Sequence, residues 1–178
     1  MKNRIPYNPS LIEPKWQKKW KDSKIYNVDL DSKDKKNYFS LTMFPYPSGD
    51  LHIGHWYAFT PADSYSRFKK MKGFNVLHTQ GFDAFGLPAE NAAISRNINP
   101  MKWTFDNIDN MRGQFNLMGN SYDWSRELIT CTPEYYKWNQ FFFLKMYEEG
   151  IAYRKNGAVW WDPCLLYTSP SPRDPSIS

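Results

Sequence analysis

Apolar and polar positions along the chain fall into blocks whose lengths predict helices alternating with short strands. Residues 8–22, NPSLIEPKWQKKWKD, put Ile12, Trp16 and Trp20 at four-residue spacing, which predicts a short helix capped by Ser10. The polar run DLDSKDKKN at 29–37 reads as a solvated loop. YFSLTMF at 38–44 is a β-rich run stopped by Pro45, hence a strand, and PYPSGD after it is a turn. A helix is predicted from Ile53 to about Met71, with Trp56, Tyr57, Phe68 and Met71 among its apolar positions, a kink or restart at Pro61, and an end at Gly73. FNVLHTQ at 74–80 is a second strand. GFDAFGLPAENAA is a loop leading to a helix start at Pro88. In 100–118, Ile108, Met111, Phe115 and Met118 form one face of an amphipathic helix. Pro133 opens another helix, which carries Trp138, Phe141 and Phe142 as a core stripe and ends at Gly150. GAVWW at 157–161 reads as a third strand.

This order predicts an α/β layout with parallel strands and crossover helices, in which ligands bind beyond the carboxyl ends of strands. The last fourteen residues, LLYTSPSPRDPSIS, are rich in Ser and Pro and lack any period. They read as a non-native tail outside the fold, or alternatively as a natural disordered one.

Composition narrows the picture only a little. With 178 residues and 41% hydrophobic positions the chain can build a core, and a net charge of +5 permits an anionic partner without requiring one. Cys131 and Cys164 are the only cysteines, too few for a disulfide framework. No apolar signal core or membrane-length run is present, so a reducing, cytoplasmic setting without a membrane is the expectation. The lysines at 15, 18, 19 and 21 read as a solvated helix face, and Asp123 with Arg126 as a local surface pair.

The chemistry concentrates in FPYPSGDLHIGH, residues 44–55, which holds two of the three histidines. Where a strand gives way to a helix, the helix N-terminus offers free N–H groups and positive potential, which suits phosphate. His52 and His55, three apart, can face the same way and add ring N–H donors. Gly54 has no side chain, so a flat ring such as adenine can approach its backbone. Nucleotidyl transfer needs positioning and donors aimed at developing charge, and Mg2+ is expected with the phosphates. A zinc pair is the weaker reading, because His78 has no companion ligand nearby in sequence.

Four blocks in order, MFPYPSGDLHIGH (43–55), GFDAFGLPAENAA (81–93), YDWSRE (122–127) and CTPEYYKWNQ (131–140), resemble the leucyl-tRNA synthetases of class Ia. The resemblance runs from about Tyr7 to Pro163. It implies a Rossmann-like catalytic domain that binds ATP and leucine, forms leucyl-adenylate and transfers leucine to the 3′ end of tRNA(Leu), in an enzyme that is monomeric when intact. Carried over by position, it implies that His52 and His55 contact the ATP phosphates as catalytic residues, that Gly54 lies under the adenine, and that Met43, Phe44 and Tyr46 line the leucine and adenosine pocket. It also implies that Asp83 holds the leucine ammonium. A loop aspartate capping the amides of Phe85 or Gly86 is the alternative role for Asp83. Glu90 is expected to stabilise a helix N-terminus.

The family's second signature, a KMSKS-type lysine loop, does not occur in the sequence. The expected organisation is therefore an N-terminal helix and loop at 1–37, the first half of the catalytic domain at 38–163 and a non-native tail at 164–178. Such a fragment is expected to be inactive alone, with any zinc module lying beyond it. Two other readings stay open: a stand-alone HxGH nucleotidyltransferase, which would need a complete sheet and a distal basic loop, and a truncated paralogue that binds without catalysis.

Overall fold

The first strand is shorter than its apolar run. In the computed structural model, which describes residues 6–157, 160–162 and 167–169, strand β1 spans Asn37–Ser40. The chain beyond it leaves the ladder, and Pro45 and Pro47, which have no N–H to give a neighbouring strand, are buried instead. Helix α2, Ile53–Met71, returns the chain to strand β2, Asn75–His78, which pairs parallel with β1 in the register Asn37↔Asn75 to Ser40↔His78. This is the βαβ unit expected from the sequence. Two residues of the predicted loop, Gly81–Phe82, form strand β3. Strand β4, Leu128–Ile129, pairs parallel with it. Between them lie helix α3, Leu87–Ser95, and helix α4, Pro100–Met118.

The chain divides into two compact units, Met1–Tyr136 and Lys137–Ser178. The first begins with helix α1, Pro9–Asp22, whose N-cap is Asn8 rather than Ser10. Pro9 takes the first helical position, where its missing N–H costs nothing. Helix α5, Pro133–Glu148, starts at the predicted proline. In the second unit Trp138, Phe141 and Phe142 stack edge-on to one another and are exposed, not core. Strands β5, Trp160–Asp162, and β6, Tyr167–Ser169, pair antiparallel. The third predicted strand thus joins a hairpin-like pair and not a parallel ladder, and its partner lies in the stretch read as outside the fold.

The core of the first unit gathers Phe59, Phe82, Ala84, Ile108, Met111, Phe115 and Tyr122. Ile108, Met111 and Phe115 are the predicted face of α4, with Met118 partly buried beside them. Helix α2 departs from its predicted pattern. Trp56, Tyr57, Phe68 and Met71 are exposed, and the buried positions are Phe59, Asp63 and Ser66. Polar groups reach inward because each finds a partner there. Ser66 Oγ donates to Ser40 Oγ at 2.7 Å, and Asp63 accepts from the Ser121 backbone N–H and from Arg67 Nε at 2.8 Å. Pro61 sits inside a continuous helix. Asp123, read as a surface residue, is fully buried: it accepts the Val28 N–H at 2.9 Å and the Ser125 hydroxyl at 2.6 Å, tying the segment after α1 to the core.

Candidate active site

His52 is the N-cap of α2, and the cap is made by histidines on both sides. The Gly54 N–H donates to His52 Nδ1 at 3.1 Å, and the His52 N–H donates to His55 Nδ1 at 3.1 Å. This is a reciprocal capping box in which imidazole nitrogens stand where hydroxyl and carboxylate oxygens usually serve. The ring centroids are 3.9 Å apart, and His55 lies nearly parallel to Phe59 at 6.0 Å. Because each Nδ1 accepts a hydrogen bond, each neutral ring carries its proton on Nε2. The sequence suggested free backbone amides as phosphate donors. The structure gives two of those amides to the rings and leaves two ring Nε2–H donors at the positive end of the helix dipole.

Burial lowers the affinity of His55 for a second proton, and the charge that His52 can carry lowers it further. Gly54 is required by the cap itself: a Cβ there would stand 2.9 Å from His52 Cε1. An open groove of about 510 Å3, lined by Leu51, His52, Ile53, Trp56, Gln114 and Met118, lies over the helix start.

The Met43–Tyr46 stretch runs beside Asp83, whose backbone N–H donates to the Pro45 carbonyl at 2.9 Å. Met43 and Tyr46 are exposed and Phe44 is half-buried. The half-buried Asp83 carboxylate meets the Thr130 hydroxyl at 3.4 Å, and the same hydroxyl accepts the Ala84 N–H at 2.8 Å. Its described partner is therefore across the β3–β4 pair and not in the Phe85 or Gly86 amides. A second hollow of about 330 Å3 lies beyond Asp83, lined by Ala84, Phe85, Glu90, Phe105, Cys131 and others. Burial raises the Cys131 thiol above its ordinary value. The structure thus joins His52, Gly54 and His55 in one unit and Asp83 with the Met43–Tyr46 stretch in another. The two hollows share no lining residue.

Three residues near the histidines carried no sequence signal. Asp50 accepts from Asn110 Nδ2 at 2.7 Å and from Gln114 Nε2 at 2.8 Å, and Gln114 Oε1 accepts the Leu51 N–H at 2.7 Å. Those bonds hold the Asp50 carboxyl below the usual carboxylate range. Among the described residues, no three His, Cys, Asp or Glu side chains converge as metal ligands.

The family model for tRNA synthetases class I (M) matches residues 38–167. The Leucine--tRNA ligase of Thermosipho melanesiensis is 59% identical over 157 residues, 88% of this chain and 19% of that protein. The Leucine--tRNA ligase of Rubrobacter xylanophilus is 55% identical over 161 residues, 90% of this chain and 20% of that protein. The chain spans about one fifth of the length of these curated relatives. Among solved structures, the LeuRS-tRNA-LeuAMS ternary complex of Agrobacterium radiobacter K84 is similar with a TM-score of 0.85 at 40% identity, over 92% of this chain and 21% of that one. Mycobacterium tuberculosis methionyl-tRNA synthetase, in complex with methionyl-adenylate, shares the fold: its TM-score is 0.60 at 24% identity, over 65% of this chain and 22% of that one.

Proposed function

The chain belongs to the class I tRNA synthetases, and from that membership we propose that it carries the ATP-binding part of a leucine–tRNA ligase. In the proposed reaction a leucine carboxylate oxygen attacks the α-phosphorus of ATP. The bond to the β-phosphate oxygen breaks, pyrophosphate leaves, and leucyl-adenylate remains. The leucyl group then passes to the 3′ end of tRNA(Leu).

The observation that carries this reading is the double use of the histidine rings. With both Nδ1 atoms committed to the helix start, the two Nε2–H groups are pre-aimed donors that need no reorganisation when negative charge builds on the phosphates. His52 and His55 are assigned to the phosphates and Gly54 to the adenine face. Met43, Phe44 and Tyr46 are assigned to the leucyl and adenosine pocket, and Asp83 to the leucine ammonium, for which a carboxylate makes a charge-assisted hydrogen bond. Mg2+ would enter with ATP, held mainly by phosphate oxygens and water, and so needs no dedicated cluster of protein ligands.

Leucine-dependent exchange of labelled pyrophosphate into ATP, measured on the natural gene product that contains this segment, tests the assignment. Replacing either histidine by Ala is expected to slow exchange about a hundredfold, the scale for one donor lost at a developing charge. Unchanged exchange in both variants rules out the phosphate role, and exchange supported by another amino acid but not leucine rules out the leucine assignment.

A further inference from the structure

The capping box fixes the histidines relative to one another, but something must fix the cap relative to the core. Helix α4 does this with two consecutive residues. Phe115, fully buried, packs on Phe59 of α2 with ring centroids 5.3 Å apart, and Phe59 in turn lies under the His55 ring. Gln114, one residue earlier, holds the chain just before His52: its Oε1 accepts the Leu51 N–H and its Nε2 donates to Asp50. Asn110, one turn back on the same helix face, donates to the same Asp50 oxygen. The backbone at 50–51 is therefore pinned by a side-chain amide whose donor and acceptor are both used. The next peptide N–H is the one that His55 Nδ1 accepts.

We infer that Gln114 is a positioning residue for the histidine pair, acting on His52 through Leu51, with Asp50 and Asn110 fixing the orientation of its amide. Its carboxamide is suited to the task because one end must accept and the other donate. A glutamate would keep the bond to the Leu51 N–H and set two carboxylates against each other at position 50. The role in ATP binding rests on the function proposed above. The role in holding the rings does not.

The test uses the full 178-residue chain labelled with 15N, its imidazole nitrogens followed by NMR. In the unaltered chain, His52 and His55 should each show an acceptor-type Nδ1 and a protonated Nε2. Gln114→Glu and Gln114→Ala should both replace that pattern with signals averaged between tautomers. Gln114→Glu combined with Asp50→Asn should restore it. That pair removes the facing carboxylates; because Asn110 and Gln114 share one Asp50 oxygen, the new amide must turn so that its nitrogen faces position 114 and its oxygen faces Asn110. The new amide at position 50 donates to the new carboxylate at position 114 and accepts from Asn110, and the carboxylate still accepts the Leu51 N–H. ATP affinity, titrated in the same samples, should fall about tenfold in the single variants and recover in the double, the scale of one hydrogen bond of ordinary strength. Imidazole signals that do not change in Gln114→Glu, or that the double variant does not restore, overturn the inference. Signals that change and are rescued uphold the clamp whether or not the chain alone binds ATP.

Discussion

His78 ends β2 with its ring fully buried, 4.5 Å from the Tyr122 ring and 3.4 Å from the Ser121 hydroxyl, and its Nε2 has no described hydrogen-bond partner. Burial drives its pKa down from 6.5 to about 4. The nearby Asp63 carboxylate opposes that fall and Arg67 adds to it. The folded value lies below the unfolded one, so the unfolded chain takes up the proton first. The stability contributed by neutral His78 is complete above pH 6.5. It is lost as pH falls from there to about 4, and no further loss follows below that. At about 1.4 kcal/mol per pH unit, the loss is about 2 kcal/mol at pH 5 and about 3 kcal/mol at pH 4. Urea unfolding followed by tryptophan fluorescence at pH 7 and pH 5, on the unaltered chain and on His78→Phe, isolates this share. The other titrating groups, His52 and His55 included, are common to both proteins. The unaltered chain should lose about 2 kcal/mol more than the variant between the two pH values. Equal losses would refute the argument that a buried, neutral His78 governs this part of the pH profile.

Gly54→Ala should expel the His52 ring from the cap, since the new Cβ meets it at 2.9 Å, and lower stability by about 1 kcal/mol with a drop in ATP affinity. A thermal melt and an ATP titration report the two effects, and unaltered ATP affinity would show that the cap geometry does not matter for binding. Phe115→Ala removes the ring that touches Phe59, Phe82, Tyr122 and Trp124, and should cost about 3–5 kcal/mol in urea unfolding. A loss below about 1 kcal/mol would mean that α4 does not anchor the core.

What could be read from the sequence was what repeats or punctuates. The buried face of α4 followed from its spacing, and α2 and α5 began where the glycine-flanked histidines and Pro133 put them. The inward face of α2 could not be read this way, because Asp63 and Ser66 are buried by partners 58 and 26 positions away, Ser121 and Ser40. The two-residue β3–β4 pair had too few residues to show a period. Asp123 looked like a surface charge because its acceptor role depends on the backbone of Val28, 95 residues earlier. At the candidate site, the histidines declared themselves by rarity and spacing. Gln114 and Asn110 carried no signal because the carboxylate they hold, Asp50, lies 64 and 60 positions earlier in the chain.

The imidazole cap also constrains which changes position 52 can accept. Serine or aspartate would start α2 at least as well, since both rank among the strongest N-cap residues. Selection for foldability alone would therefore drift toward them and lose the imidazole that lines the groove. On the function proposed above, a histidine at 52 trades helix stability for ligand chemistry, so screens for thermostable variants should repeatedly return Asp or Ser at 52 with a loss of ATP affinity.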